Sequence, residues 1–173
     1  EKKSTNRDNV EVGVMQGRLL PKYQGRYQAH PVGYWQEEFS IANTFGLSCI
    51  EFIVDYNDLS RNPLAQEKGL EEIETVCQES GVQVRSICAD YFMEAPLHSS
   101  DSTTRDKSRA QLVKLIRNAP RLGVTDIVIP CVDQASLLEK QSQRGLIDAL
   151  RRLQLVLEGT ELNLALETDL GPQ

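Results

Sequence analysis

A repeated order of elements constrains this 173-residue chain more than any other feature of its sequence. A helix-like stretch, a glycine, two or three connecting residues and a short apolar segment follow one another four times. Each copy has about the size of one βα unit, so the repeat predicts parallel strands that alternate with helices. One more apolar segment precedes the first helix. The predicted strands are therefore 12–15, 49–55, 82–90, 127–133 and 162–169.

The ends of the helix-like stretches carry recognisable signals. Gly81 follows one of them and suits the left-handed residue that ends a helix. Thr103 and Asp106 have the spacing of a capping box, which predicts that the next helix starts there. Pro120, near the end of that same helix, is expected to kink its last turn.

The faces of the predicted strands distinguish a barrel from an open sheet. A strand that helices cover on both sides, as in an open doubly wound sheet, tends to be apolar throughout. Here Glu51 and Ser86 lie within strands, where complete burial without a partner would be unfavourable. The last strand alternates large apolar residues with small or polar ones, namely Leu162, Leu164 and Leu166 against Asn163, Ala165 and Glu167. We therefore predict an α/β fold that forms the N-terminal portion of a (β/α)₈ TIM barrel, with five parallel strands and outer helices.

The chain is shorter than a complete barrel, which takes about 250 residues. In this prediction residues 1–10 form a polar N-terminal tail, and residues 11–173 form a partial barrel that lacks three strands. The first and last strands would then be open edges, and such edges invite pairing with a second chain. A homo-oligomer, or a non-catalytic half-barrel that serves binding or assembly, is therefore an alternative.

Composition argues against several classes of partner. The net charge of −6 provides no basic surface for nucleic acid. No segment reaches the roughly 18 consecutive apolar residues of a membrane helix, and the opening segment is too polar for a signal peptide. We therefore expect a cytoplasmic protein without nucleic-acid or membrane partners. The four cysteines lie far apart in apolar segments, which indicates reduced core thiols.

Acidic residues follow most of the predicted strands. The functional face of this fold is built from the loops after the strands, and oxygen ligands that meet there suit Mg²⁺ or Mn²⁺. Asp55 and Asp133 are interpreted as turn or helix-cap residues. Glu167 shares its side of the strand with Ala165, towards the barrel interior, and glutamate is a poor turn former. A ligand or catalytic role is therefore favoured for Glu167.

Five further residues are candidates for substrate binding. Two lie in the long loop after the first strand, one lies in the second strand and two lie at or after the end of the third: Gln16, Arg18, Glu51, Asp90 and His98. Because the loop also contains Lys22 and Arg26, it could bind a substrate phosphate or fold over the site. Solvated loop charges are the alternative. A histidine in such a loop either binds substrate or has no role.

Five segments of the chain resemble a known family. They are VGVMQGRL (12–19), LSCIEFIVD (47–55), VRSICADYFMEAPL (84–97), LGVTDIVIPCVD (122–133) and NLALET (163–168). In these segments the chain is similar to the sugar phosphate isomerases/epimerases, which are xylose isomerase-like TIM barrels of the AP endonuclease 2-like superfamily. The resemblance covers nearly the whole chain after residue 11. That superfamily also contains endonuclease IV and inosose dehydratases, so the resemblance defines the fold more narrowly than the substrate.

The resemblance implies a metal-dependent isomerase or epimerase that acts on a small sugar or sugar phosphate through an enediolate. Members hold one divalent ion, such as Mn²⁺, Mg²⁺, Co²⁺ or Zn²⁺, with a Glu after the fifth strand, an Asp after the sixth, a His after the seventh and a Glu after the eighth. Glu167 is the counterpart of the first, which implies that it ligates the metal and helps to move a proton. The other ligands would lie beyond Gln173, so the chain alone is expected to be inactive. An inosose-type dehydratase of the same fold is the alternative.

Overall fold

Five parallel strands pair side by side in the order in which they occur in the chain. The computed structural model describes residues 11–171, so the predicted polar tail of residues 1–10 lies outside the described range. The strands are β1 (Gly13–Met15), β2 (Cys49–Ile53), β3 (Gln83–Cys88), β4 (Asp126–Cys131) and β5 (Asn163–Thr168). This architecture confirms the predicted α/β half-barrel.

Helices occupy the connections between consecutive strands. They are α1 (Glu37–Thr44), α2 (Glu67–Ser80), α3 (Tyr91–Glu94), α4 (Ser102–Asn118), α5 (Lys140–Arg151) and α6 (Gln154–Leu157). The short helix α3 was not predicted, because four residues are too few to show helical periodicity. Gly81 ends α2 with φ 73°, which confirms its predicted left-handed conformation.

The start and end of α4 differ from the prediction. Asp101, rather than the Thr103 and Asp106 pair, caps the helix: its Oδ2 accepts a 2.7 Å hydrogen bond from the Thr104 amide. Thr103 already lies in the first turn, whereas the capping position needs the extended backbone that Asp101 has. Pro120 does not kink α4, because the helix ends at Asn118 and the proline lies in the 3₁₀ turn that follows.

One face of the sheet forms the hydrophobic core together with the helices. Its strand residues include Ile50, Phe52, Val84, Ile87, Ile127 and Ile129, all of which are buried. They pack with helical residues such as Phe39 of α1, Ile73 of α2 and Leu115 of α4. This one-sided packing leaves the opposite face of the strands free of helices, as on the inner side of a barrel.

The opposite, inner face is mixed in character and is defined by the pairing register. Its lower layer consists of Met15, Glu51, Ser86, Asp126 and Asn163, which are partners on neighbouring strands. The next layer consists of Ile53, Cys88, Val128 and Ala165. A register shift between Ile50 and Glu51 adds one residue to β3 and brings Ser86 opposite Glu51. The inner face therefore has the predicted polar and small residues, but it also carries the larger apolar side chains of Met15, Ile53 and Val128.

Within residues 11–171, β1 and β5 each have a strand partner on one side only. The described helices are also too short or too polar for any of them to cross a lipid bilayer.

Candidate active site at the carboxyl ends of the strands

Glu167 lies at the carboxyl end of β5 on the inner face. It pairs in register with Pro130, two residues beyond the Val128–Ala165 pair that lies on the same face. The alternate residue Leu164 packs against the hydrophobic core on the other side. Glu167 is exposed, and its carboxylate accepts no hydrogen bond from the part of the chain that is described. Its oxygens are therefore available to a ligand.

Glu51 and Ser86 form a hydrogen bond with each other on the inner face. The Ser86 hydroxyl donates a 2.8 Å hydrogen bond to Oε1 of Glu51, from β3 to β2. Both side chains are half-buried. The pair explains how two polar residues within strands avoid the cost of burial, and it places one carboxylate below the strand ends.

Cys88 and Asp90 lie higher on β3 and in the turn after it. The Cys88 thiol donates to Oδ1 of Asp90 at 3.1 Å. Burial raises the pKa of the Cys88 thiol, and the negative charges of Asp90, Glu51 and Glu167 raise that pKa further. The thiol therefore lies in the combined field of three carboxylates, which come from three different strands or strand ends. Cys88, Glu51 and Glu167 share the inner face.

Asp90 itself is buried, with 5% of its surface exposed. Burial raises its pKa, and the nearby charge of Asp55 acts in the same direction. Hydrogen bonds from Cys88 and Gln28 and the charge of Arg26 lower that pKa. Asp55 and Asp90, at the ends of adjacent strands, thus lie close together, and Arg26 and Gln28 of the loop after β1 interact with them.

The loop between β1 and α1, residues 16–36, folds over the ends of β2 and β3. Asp55 binds it at two points: Arg26 Nη1 lies 3.0 Å from Oδ1, and the His30 amide donates to Oδ2 at 2.8 Å. The interpretation of Asp55 as a turn or cap residue was therefore wrong, since its carboxylate anchors a loop 25 residues away in sequence. Asp133 does occupy a turn, with φ 51° at the start of a 3₁₀ segment.

Arg18 lies at the exposed surface of this loop. Its Nη2 donates to Oε1 of Gln28 at 3.4 Å, and Nε2 of Gln28 donates to Oδ2 of Asp90 at 3.4 Å. Arg18, Gln28, Asp90 and Cys88 therefore form a continuous series of contacts from the loop to the inner face.

Gln16, a candidate for substrate binding, is fully buried beneath the loop. Its Oε1 accepts from the Ile53 amide at 3.0 Å and contacts Nδ1 of His30 at 3.2 Å. The Gln16 side chain thus bonds to the β2 backbone beyond the residue at which β1 ends. Burial lowers the pKa of His30 to about 4, which keeps this histidine neutral at pH 7.

His98 is not brought together with the other candidates. Its Nε2 lies 3.0 Å from the Ala135 carbonyl oxygen, and the residue lines a cavity of about 470 Å³ between α4 and α5. Gly145 of α5 packs against His98 so closely that an added Cβ would lie 3.0 Å from the Cβ of His98. The structure therefore places His98 among the outer helices.

Sequence reasoning missed Glu38, which is fully buried in α1. Its carboxylate accepts hydrogen bonds from the Gly17 amide at 2.7 Å and the Leu19 amide at 3.0 Å. Burial raises the pKa of Glu38, and the backbone hydrogen bonds lower it. A carboxylate next to Phe39 in an amphipathic helix gives no sign of this role, because its partners come from a loop about twenty residues earlier.

The described residues supply few metal ligands. Within residues 11–171, no group of three or more His, Cys, Asp or Glu side chains is arranged to hold a metal ion. Glu167 fits a single ligand position, since its carboxylate faces the inner side and is free of described hydrogen-bond donors. Carboxylate oxygen suits Mg²⁺, Mn²⁺ and Zn²⁺.

The sheet is parallel, has helices on one face and has carboxylates at the strand ends on the other. This arrangement is half of a (β/α)₈ barrel, the fold in which enzymes carry their active sites at the strand ends. The chain belongs to the family described as xylose isomerase-like TIM barrel, whose family model matches residues 39–173.

A curated relative and three solved structures are similar to the chain. L-Ribulose-5-phosphate 3-epimerase UlaE of Escherichia coli O1:K1 / APEC is 28% identical over 144 residues, which cover 81% of this chain and 50% of the relative. The D-psicose 3-epimerase of Clostridium cellulolyticum H10 with D-tagatose has a TM-score of 0.66 at 15% identity, over 91% of this chain and 52% of that one.

Two of the solved structures contain a metal. A xylose isomerase-like TIM barrel protein from Mycobacterium smegmatis, in complex with magnesium, has a TM-score of 0.61 at 18% identity and covers 90% and 54% of the two chains. The IolI protein with a bound zinc atom has a TM-score of 0.64 at 14% identity and covers 92% and 51%. The chain spans about half the length of the relatives it matches.

Proposed function

We propose that the protein containing this chain is a metal-dependent isomerase or epimerase of sugars or sugar phosphates, active in the cytoplasm. The observation that carries the proposal is the position of Glu167, at the end of β5 on the inner face and free of described hydrogen-bond donors. The curated relative is named as an epimerase of a ketopentose phosphate, and a structural relative acts as an epimerase of a ketose.

In this proposal Glu167 has two roles. It would hold one position of a divalent metal, and the metal would supply charge stabilisation at the substrate carbonyl oxygen. The Glu167 carboxylate would also take the proton from the carbon next to that carbonyl. Return of this proton to the neighbouring carbon of the enediolate would give an isomer, whereas an epimer would require a second acid on the opposite face. Glu51 and Asp90 would contact substrate hydroxyls from the inner face, and Gln16 would act indirectly through the anchored loop.

The test uses the full-length protein, because the chain spans about half of its relatives. Ketoses and their phosphates are incubated in D₂O with Mn²⁺ or Co²⁺, and deuterium at the carbon next to the carbonyl is measured by NMR. We expect incorporation into at least one substrate, and we expect Glu167→Gln to abolish it. Asp126→Asn is the matched control, because Asp126 lies on the same face in a lower layer and should be dispensable.

Two outcomes would contradict the epimerase proposal. The first is an absence of exchange with every ketose and ketose phosphate in the panel. The second is a product whose mass is lower by one water, which would identify a dehydratase.

The open strand edges support a second candidate function, in which the half-barrel assembles with another chain. The outer edge of β5 has no strand partner among residues 11–171, and Leu166 and Leu170 nearby are 40% and 41% exposed. Such an edge favours strand pairing. Sedimentation velocity of the 173-residue chain tests this candidate, and a stable monomer would contradict it.

A further inference from the structure

A buried carboxylate binds the backbone of the turn that follows β1. Glu38 accepts hydrogen bonds from the amides of Gly17 and Leu19, the two neighbours of Arg18. Gly17 has φ +86°, and a Cβ there would overlap the carbonyl oxygens of Tyr27 and Ala29. The backbone at Arg18 is therefore fixed on both sides, which pre-organises the base of its side chain.

The guanidinium of Arg18 differs from that of Arg26 in the same loop. Arg26 is paired with the carboxylate of Asp55 at 3.0 Å, so its charge is already matched. Among residues 11–171 the Arg18 guanidinium donates only to the neutral amide oxygen of Gln28, and none of the described carboxylates lies within 4.0 Å of it. Arg18 is thus an exposed cation on a fixed backbone, with donors left for a ligand. A guanidinium with free donors matches the oxygens of a phosphate group.

The position of Arg18 also restricts how an anionic substrate could lie. Arg18 begins the series of contacts through Gln28 and Asp90 to Cys88, which lies on the same inner face as Glu167. Along this path Asp90 and Glu167 carry carboxylates, which repel a phosphate, whereas Arg18 carries a positive charge. The phosphate end of a substrate is therefore favoured at Arg18, and the carbonyl end towards Glu167.

We infer that Arg18 binds the phosphate of a phosphorylated ketose and that Glu38 is the positioning residue that holds Arg18 in place. The position of the substrate carbonyl near Glu167 rests on the proposed function, whereas phosphate binding at Arg18 can be tested by itself.

The binding test uses the 173-residue chain labelled with ¹⁵N. L-Ribulose 5-phosphate, inorganic phosphate and unphosphorylated L-ribulose are titrated separately, and the amides of residues 17–19 and the Arg18 side chain are followed by NMR. The two phosphate-containing probes should shift these signals in a saturable way, and L-ribulose should not. We expect Arg18→Ala to weaken binding of the ester about tenfold or more, the loss of a charge-assisted interaction.

Arg152→Ala is the matched control, because Arg152 is also an exposed arginine but lines the outer cavity between α4 and α5. It should bind the ester as the unmodified chain does. Arg18→Lys keeps the charge and loses the two-pronged donor geometry, so it should bind with intermediate affinity. Equal shifts with L-ribulose, or unchanged affinity in Arg18→Ala, would overturn the inference.

The role of Glu38 requires a readout that simple destabilisation would not give. In the full-length enzyme, Glu38→Gln should raise KM for the phosphorylated ketose and leave KM for the neutral ketose unchanged, as Arg18→Ala should. An equal change for both substrates would contradict positioning. Phosphate binding without turnover would refute the proposed function and support the inference, whereas turnover unaffected by Arg18→Ala would refute the inference alone.

Discussion

The amide nitrogen of Gly17 lies 2.7 Å from Oε2 of Glu38, a carboxylate that is fully buried in α1. This contact joins the first residues after β1 to the first helix, across 21 positions of sequence. It fixes the start of the loop that covers the strand ends, so both residues should be sensitive to substitution.

Gly17→Ala should destabilise the protein by several kcal/mol. The residue has φ +86°, and the added methyl group would overlap the backbone carbonyls of Tyr27 and Ala29. Gly25→Ala is the matched control: Gly25 has a similar φ of +81° but nothing within 4 Å of an added Cβ, so we expect a loss of only about 1 kcal/mol. Urea denaturation measures both values. Equal losses would show that the close approach at Gly17 is unimportant.

His30 should make the protein less stable as the pH falls below neutrality. Burial lowers its pKa from 6.5 to about 4, so between these values the unfolded chain binds more protons than the folded one. Its contribution is complete above pH 6.5 and is lost as the pH falls towards 4, by about 3 kcal/mol in total.

The pH dependence of His30 can be isolated by substitution. Burial raises the pKa values of Glu38 and Asp90, and raised carboxyl pKa values change stability with pH in the opposite direction. The comparison is therefore between the unmodified chain, His30→Gln and His98→Gln, by urea denaturation from pH 4.5 to 7. We expect His30→Gln to be less stable at pH 7 but to lose less stability on acidification. A slope unchanged in His30→Gln would contradict the assignment.

Cys88 should resist alkylation in the folded protein. Burial and the charges of Asp90, Glu51 and Glu167 raise its pKa, so the reactive thiolate is strongly disfavoured. Cys49 is half-buried and should react first with iodoacetamide at pH 8. Mass spectrometry of peptides from briefly treated protein gives the order. Modification of Cys88 before Cys49 would contradict the raised pKa of the Cys88 thiol.

Asp101→Ala should lower the melting temperature of the protein measurably, because it removes the hydrogen bond to the Thr104 amide at the start of α4. Thr103→Ala is the control and should have little effect, since Thr103 does not cap the helix. Differential scanning calorimetry compares the two variants. A larger effect of Thr103→Ala would contradict this assignment and favour the capping box predicted from the sequence.

The 173-residue chain should bind Mn²⁺ only weakly. Glu167 is one carboxylate, and no group of three potential ligand residues exists in the described part of the chain. Isothermal titration calorimetry with Mn²⁺ is the measurement, and Glu167→Gln is the control for the residual heat. Tight binding at one ion per chain would show that the described residues contain a site that the geometry does not reveal.

Much of the fold could be predicted because it depends on local patterns. The glycines after the helices and the apolar segments that follow them mark each βα unit, and parallel strands joined in this way pair side by side. Glu167 could be placed on the inner face for a similar reason: side chains alternate along a strand, so its side is given by Ala165 and Leu164.

The contacts of the candidate site could not be predicted in this way. His98 and Gln16 were chosen because they follow strands, but loop conformation places one among the outer helices and buries the other. Glu38 was missed because its partners are backbone amides, which carry no mark in a sequence.

The amino-acid sequence alone determined the order of strands and helices, the presence of polar residues on the inner face and the side to which Glu167 points, since periodicity and turn chemistry are local properties. Only the tertiary structure decided that Asp55 and Glu38 anchor the loop after β1, and that Arg18 keeps its charge available whereas Arg26 does not. These outcomes depend on which groups meet across ten or more residues, and the packing of the whole chain determines those contacts.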